Sequence, residues 1–137
     1  MKIHSEYMTV QTEKKREFLN ITSNVRSTAE KSGIHNGIIL ICSLHANSGV
    51  FVNEGDPAFQ QDMDAWLEKL APATGDYKYG QRAESTGGVH LQSILLNGQA
   101  VISLLDGKIE LGPWQNIIYA ELDGLRPKRI LIKVLGE

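Results

Sequence analysis

The sequence predicts an α+β domain, a compact sandwich of largely antiparallel or mixed β-sheet with about three helices. Apolar segments of strand length recur along the chain, and most neighbouring segments are separated by turn residues at hairpin spacing. The dipeptide Asp106-Gly107 between two apolar segments is the strongest of these hairpin signals. With 137 residues and no internal repeat or linker, we expect a single domain spanning residues 1–137.

The chain begins with a predicted hairpin followed by a helix. Residues 2–11 alternate polar and apolar side chains, the period of a half-buried strand, and residues 17–21 supply the return strand. Between them, Lys14-Lys15-Arg16 is typical of a solvated turn rather than of an anion-binding patch. The next helix is expected to begin at a Thr22 or Ser23 N-cap and to end at Gly33.

The central part of the sequence predicts a buried strand, a short strand and a long helix. Residues 38–44 form an almost unbroken apolar run, which indicates a strand buried on both faces. A shorter apolar run covers residues 50–52. Asp56-Pro57 is a helix start signal, and Pro72 ends that helix. Its apolar side chains are spaced as a face packed in the core: Phe59, Met63, Trp66, Leu67 and Leu70.

The last part of the chain predicts an irregular segment, a short helix and four strands. Residues 71–88 have little regular pattern, and so long a loop in a small domain is typically functional or mobile. A short helix over residues 89–96 is expected, with Ser85 or Thr86 as its N-cap. The predicted strands are residues 100–105, 108–111, 114–122 and 129–134.

Composition narrows the function before any motif is considered. The formal net charge of −2 argues against a broad nucleic-acid interface, which needs a basic excess. One cysteine cannot form an internal disulfide, which favours a reducing compartment. Neither a signal peptide nor a membrane-spanning run is recognisable, so a cytoplasmic location without a membrane partner is expected.

Polar residues at the ends of apolar segments are the candidates for chemistry. His45 follows a strand among small residues, and His90 lies at a predicted helix start, where backbone N–H groups favour an anion such as phosphate. Glu121 interrupts an apolar strand and therefore needs either a partner, for which Arg126 and Arg129 are candidates, or a catalytic task. Each of the three also has a purely structural explanation. The full set is His45, Glu54, His90, Gln115, Glu121 and Asp123.

Six motifs together resemble one known family. They are Cys-Ser-Leu-His45-Ala-Asn-Ser-Gly, Asn53-Glu54-Gly-Asp56-Pro, His90-Leu91, Asp106-Gly107, Leu-Gly-Pro-Trp114-Gln115 and Glu121-Leu-Asp123-Gly-Leu-Arg126. In order and spacing the chain resembles the YjbQ family, whose members are named secondary thiamine-phosphate synthase enzymes.

The resemblance implies a homotrimer and a weak transferase that couples a pyrimidine diphosphate to a thiazole phosphate to give thiamine phosphate. It implies three sets of residues: catalytic His45, Glu54, His90, Glu121 and Arg126; substrate-binding Asn47, Ser48, Trp114, Gln115 and Asp123; and metal-binding His45, His90 and Glu121. The expected ligands are a small phosphorylated metabolite and a divalent metal, zinc or magnesium.

Two departures from the family pattern keep other functions open. Tyr79 stands where the family usually has a histidine, and a phenol is a much poorer divalent-metal ligand at neutral pH. Leu125 replaces the proline that usually precedes the arginine carried here by Arg126. The alternatives are a metal- or phosphometabolite-binding protein or hydrolase of unknown substrate, with the synthase activity incidental or lost, and a trimeric scaffold with a vestigial site.

Overall fold

The computed structural model describes residues 1–79 and 87–137, which form eight strands and three helices. The strands are β1 Lys2–Val10, β2 Glu17–Asn20, β3 Gly37–Ser43, β4 Ser48–Asn53, β5 Gln99–Leu105, β6 Lys108–Ile109, β7 Asn116–Glu121 and β8 Lys128–Gly136. The helices are α1 Thr22–Ser32, α2 Pro57–Leu70 and α3 Gly87–Leu96. All strand pairs in the described ranges are antiparallel, which confirms the predicted α+β class.

The strands form two sheets that share one core. The order is β1-β8-β3-β5-β6 in the five-stranded sheet and β2-β7-β4 in the three-stranded sheet. Buried side chains from both sheets and from α1 pack together between them, among them Ile41, Val50, Tyr119 and Ile130. A second cluster joins α2 and α3 to the other face of the three-stranded sheet, with Leu67 at its centre.

The outer face of the five-stranded sheet is not covered by any described element, which corrects the prediction for β3. Ile39 and Ile41 are fully buried, as expected, but Ile38 on the opposite face is exposed and Leu40 is half-buried. An apolar run predicts burial on both faces only if a second layer lies on each. Residues 1–79 and 87–137 supply such a layer on one face of the sheet only.

Helix α1 confirms its predicted stop and corrects its predicted start. Gly33 has φ 67°, the left-handed conformation of a glycine C-cap. Neither Thr22 nor Ser23 is the N-cap, because α1 begins at Thr22 itself. The side-chain oxygen of Asn20 instead accepts the Thr22 backbone N–H at 3.1 Å. The side chain that caps the start of α1 is therefore that of Asn20, two residues before Thr22.

Helix α2 starts as predicted but packs differently. The Asp56 side chain caps it by accepting the N–H groups of Ala58 at 2.7 Å and Phe59 at 3.3 Å. Of its predicted core face, however, only Leu67 is buried, and Trp66 remains 48% exposed. The apolar stripe is wider than the contact that the three-stranded sheet offers.

One residue of the predicted solvated turn is structural. The Arg16 guanidinium, 19% exposed, donates to Gln92 Oε1 at 2.5 Å and lies 3.3 Å from Asp64 and 3.5 Å from Glu68. It therefore ties the start of β2 to both α2 and α3. Lys14 and Lys15 are exposed, as the charge run indicates.

The hairpin at Asp106-Gly107 is confirmed. Both residues have positive φ, 50° and 77°, as the favoured two-residue hairpin turn requires. β6 that follows is only two residues long, shorter than the predicted residues 108–111. The predicted Ser85 or Thr86 N-cap of α3 lies outside the described residues.

Candidate functional site at four strand ends

Four strand ends meet at one place in the fold and bring most of the predicted polar residues with them. The β3–β4 connection carries His45 and Asn47, and the β7–β8 connection carries Asp123 and Arg126. The two connections are adjacent because Ser48 pairs with Glu121 in the β4–β7 ladder. Antiparallel register therefore places residues that are far apart in sequence at one edge of the three-stranded sheet.

Glu121 lies at the buried end of this site, and its partner is Lys128. The carboxylate is 0% exposed and the ammonium 4% exposed, with Nζ 2.5 Å from Oε2. The hydroxyl of Tyr119 donates to Oε1 at 2.9 Å, and the Asp123 backbone N–H donates to Oε2 at 3.2 Å. Both carboxylate oxygens thus accept hydrogen bonds, as a buried charge requires.

Neither of the two arginines predicted as partners of Glu121 bonds to it. Arg126 donates to Asp123 at 2.9 Å, and Arg129 lies over the Tyr7 ring with its guanidinium carbon 4.1 Å from the ring centre. In β8 the side chains alternate, so Lys128 faces the core with Ile130, whereas Arg129 faces outward. Sequence reasoning missed Lys128, although this alternation could have identified it.

Tyr119 stays protonated beside the carboxylate. Burial raises the pKa of its phenol well above the usual value, and the charge of Glu121 adds to this effect, while a hydrogen bond with Ser48 opposes it. A protonated phenol can donate to Glu121, which is the geometry observed. Tyr119 is a second residue of the site that the sequence did not reveal.

A chain of hydrogen bonds leads from the buried pair to the surface. Lys128 Nζ donates to Asn47 Oδ1 at 2.7 Å, and Asn47 Nδ2 lies 3.5 Å from Asp123 Oδ2. Asp123 meets Arg126 at 2.9 Å and Lys15 at 3.9 Å. Two mostly exposed cations, Arg126 at 65% and Lys15 at 76%, therefore lie above a buried one.

The β7–β8 connection is held in an unusual backbone conformation. Leu125 has φ 74°, a left-handed conformation that is strained for a bulky residue. Proline, whose ring fixes φ near −65°, could not occupy this position with the same backbone. Gly124 before it has no room for a side chain, since an added Cβ would lie 2.1 Å from Thr12 Oγ1. A proline here, as the family resemblance implies for other members, would require a different path of this loop.

The two histidines form hydrogen bonds through different ring nitrogens. His45 Nε2 accepts the Arg129 backbone N–H at 3.1 Å, so its other nitrogen carries the proton in the neutral form. His90 Nδ1 lies 3.0 Å from the carbonyl oxygen of Ala46, which assigns the proton to Nδ1 and leaves Nε2 as an acceptor. The ring of Tyr79 meets the ring of His90 edge to face, with centres 4.9 Å apart.

The predicted metal-binding set does not come together in the described residues. Within residues 1–79 and 87–137 no group of three or more His, Cys, Asp or Glu side chains is placed to hold a metal ion. His45 Nε2 is used by a backbone N–H, and both oxygens of Glu121 accept from protein donors. A divalent ion held jointly by His45, His90 and Glu121 does not fit this arrangement, and the cofactor stays a prediction.

Ser48 belongs to the site, but three other predicted residues lie elsewhere. The Ser48 hydroxyl is buried and hydrogen-bonds to the hydroxyl of Ser43. Glu54, Trp114 and Gln115 flank the opposite end of the β4–β7 pair, where Asn53 pairs with Asn116. Six residues of strand separate the two ends, a distance of about 17 Å. The Gln115 side chain there accepts the Gly112 N–H at 2.8 Å and closes a local turn.

A cleft opens beside His90. It has a volume of about 490 Å³ and is lined by Ala46, Tyr77, Lys78, Tyr79, Gly87, His90 and Leu91. This volume lies within the range of small-molecule sites, and the lining is mostly apolar with a few polar groups. The site thus offers an apolar cleft on one side of the loop at His45 and cationic side chains at Asp123.

The fold and the site together define a class: a small α+β protein with two antiparallel sheets and a polar cluster at four strand ends. A family model described as UPF0047 protein YjbQ-like matches residues 6–137. The chain belongs to this YjbQ/UPF0047 family, as its motifs predict.

Relatives and solved structures match this protein over nearly the whole length of its chain. A UPF0047 protein of Methanothermobacter thermautotrophicus is 36% identical over 138 residues, covering 100% of this chain and 95% of the relative. UPF0047 protein YugU of Bacillus subtilis is 28% identical and covers 93% of this chain and 96% of its own. A crystal structure of a YbjQ-like protein of unknown function from Sulfolobus solfataricus has a TM-score of 0.94 at 31% identity, covering 99% of each chain. A hypothetical protein from Aeropyrum pernix gives a TM-score of 0.92 at 28% identity, covering 98% of this chain and 99% of that one.

No helix in the described ranges is both long and apolar enough to cross a membrane.

Proposed function

We propose that the site binds a phosphorylated small molecule and catalyses a transfer of the thiamine-phosphate synthase type. The observation that carries the proposal is the pair of exposed cations, Arg126 and Lys15, on either side of Asp123. A guanidinium has five N–H donors, and only one of its nitrogens is hydrogen-bonded to Asp123. Its remaining donors can hold phosphate oxygens in the two-point geometry that arginine favours.

The reaction would break the bond between the pyrimidine methylene carbon and the diphosphate oxygen and form a bond from the thiazole nitrogen to that carbon. Pyrophosphate leaves with the electron pair of the broken bond. The main requirement is therefore stabilisation of charge on the leaving group. Arg126 and Lys15 would supply it, while Lys128 and Glu121 fix the loop that carries Arg126. No step of this proposal runs through a metal ion.

His90 would hold the substrate at the cleft side. Its Nε2 can accept a hydrogen bond from an amino or hydroxyl group, since Nδ1 is engaged by Ala46. The rings of Tyr77 and Tyr79 line the same cleft and can pack against a flat heteroaromatic ring. A substrate with a ring in the cleft and phosphate at Arg126 would use both halves of the site.

The test is a coupling assay with Arg126→Ala. Loss of a charge-assisted hydrogen bond costs about 1.5–3 kcal/mol, so the rate should fall roughly 10- to 100-fold. Arg26→Ala, which removes an exposed arginine on α1, is the matched control and should keep wild-type activity. If both variants retain the wild-type rate, Arg126 does not act on the leaving group.

The second candidate is a phosphometabolite-binding protein or hydrolase for which the synthase activity is incidental. The cleft favours it, because the contacts that its described lining offers, aromatic stacking and one imidazole acceptor, suit many ring-containing metabolites besides a pyrimidine. A panel of phosphorylated metabolites, screened by thermal shift, should then contain a ligand that stabilises the protein more than the thiamine precursors do. A panel without such a ligand removes this candidate.

The predicted homotrimer is part of the proposal. The uncovered face of the five-stranded sheet carries exposed apolar side chains on several strands: Ile3, Tyr7, Ile38, Val101 and Leu105. Monomers rarely expose a continuous apolar face, and further copies of this chain would cover it. Sedimentation equilibrium should give three times the chain mass of 15.2 kDa, and Val101→Lys should lower it. A monomeric wild-type protein would rule the trimer out.

A further inference from the structure

A second cleft lies between α2 and β4, away from the site at Glu121. It has a volume of about 400 Å³ and is lined by Phe51, Asn53, Phe59, Asp62, Met63 and Trp66. Three of these six side chains are aromatic. The cleft is placed toward the Asn53 end of β4, whereas Ser48 at the other end belongs to the first site. The two are therefore separate sites.

The cleft exists because α2 covers the sheet incompletely. Phe59, Met63 and Trp66 recur at helical spacing on the face predicted to be core, yet none of them is buried. Leu67 is the one fully buried residue of the described helix, and half-buried Met63 packs against the same second core cluster. Aromatic rings that would normally be buried in a core therefore line the open cleft.

One wall of the cleft is held in place by the fold. Phe51 meets Phe18 of β2 edge to face, with ring centres 6.3 Å apart and planes at 80°. Phe51 also belongs to the strand paired with β7, where it lies opposite Ile118. This wall is preorganised, which lowers the entropy cost of binding a ligand.

The charge of the lining selects the ligand. Asp62 contributes a carboxylate and Asn53 an amide, and among the described residues that line the cleft none is cationic. The faces of Phe and Trp rings attract cations through their quadrupoles, and indole is the strongest of them. An anion would meet the same rings and the carboxylate unfavourably.

From these observations we propose that the cleft binds an organic cation, a quaternary or protonated amine carrying an aromatic ring. The cationic group would lie against Trp66 and near Asp62, and the ring would pack between Phe51 and Phe59. The volume suits a small ligand of this kind. This site is independent of the proposed transferase function.

The experiment is an NMR titration of the full chain with benzyltrimethylammonium. The chain has two tryptophans, so the indole N–H signal that remains in Trp114→Phe is that of Trp66. The expected result is a saturable shift of this signal by benzyltrimethylammonium. Benzyl alcohol and benzenesulfonate carry a similar ring with neutral and negative charge, and each should bind at least about threefold more weakly, since cation–π attraction is lost.

Two matched variants complete the test. Asp62→Asn should weaken binding of benzyltrimethylammonium by roughly threefold, as removal of a partly solvated charge does. Glu30→Gln removes an exposed carboxylate from α1, outside the cleft lining, and should leave the affinity unchanged. Equal binding of all three probes, or equal effects of the two variants, would overturn the proposal. So would a Trp66 signal that does not shift.

Discussion

Replacement of Lys128 by methionine should destabilise the protein far more than replacement of an exposed lysine. Methionine keeps most of the apolar volume but leaves the Glu121 carboxylate, fully buried, without its cation. Loss of one partner of a buried ion pair typically costs about 3–5 kcal/mol. That is a large fraction of the roughly 5–15 kcal/mol by which native domains are stable.

The matched control is Lys31→Met. Lys31 is 64% exposed and pairs with Glu6 at 3.8 Å, so the same chemical change removes an exposed pair. Such pairs contribute about 0–1 kcal/mol. Urea unfolding at a fixed protomer concentration measures both variants, because any self-association would make stability depend on concentration.

The double variant Glu121→Gln/Lys128→Met measures the interaction free energy between the two side chains, separately from the contribution of each. Glu121→Gln alone leaves the Lys128 ammonium buried without its anion, whereas the double variant leaves no buried charge at this position. It should therefore be more stable than the sum of the single losses predicts, with a coupling of about 2 kcal/mol or more. The reasoning is refuted if Lys128→Met costs less than about 1 kcal/mol, or if the two single losses simply add.

Three further changes test the surroundings of the site. Tyr79→His should raise zinc content, measured by mass spectrometry of purified protein, because it places a second imidazole beside His90; equal zinc in variant and wild type would contradict this. Gly88→Ala should cost about 1–3 kcal/mol in urea unfolding, since its Cβ would lie 1.8 Å from a backbone oxygen, whereas Gly98→Ala meets nothing within 4 Å and should not. Leu125→Pro should lower the melting temperature and the coupling rate together, because proline cannot adopt the observed φ of 74°; an unchanged melting temperature would contradict it.

The sequence predicted the elements well because local signals determine them. Asp56-Pro57, Gly33 and Asp106-Gly107 each mark a helix or turn boundary by their own backbone chemistry, and the structure places boundaries at all three. Burial was predicted less well where it depends on neighbours. Neither Ile38 nor Trp66 is buried, since the layer that would cover it is absent from the described part of the chain.

The partner of Glu121 cannot be identified from composition alone, but the alternation of side chains along β8 does identify it. Ile130 and Ile132 place the even-numbered positions of β8 on the core face. Lys128 continues that series inward, and Arg129 must then point outward. Lys128 lies one residue before the predicted strand over residues 129–134, and a lysine at a strand start is far more often exposed than buried.

The division of the predicted site into two groups has a consequence for any active assembly. Glu54 and Gln115 flank one end of the β4–β7 pair, and Glu121 and Arg126 lie at the other, about 17 Å away along six residues of strand. One chain cannot bring both groups to one ligand, but two neighbouring chains of a trimer could. Glu54→Gln and Arg126→Ala variants, each of which should have reduced coupling activity, are unfolded together and refolded as mixed oligomers, and these should recover activity above that of either variant alone. Absence of recovery in mixed oligomers verified by mass would refute a site shared between chains, and a wild-type rate in Glu54→Gln alone would remove Glu54 from the reacting site.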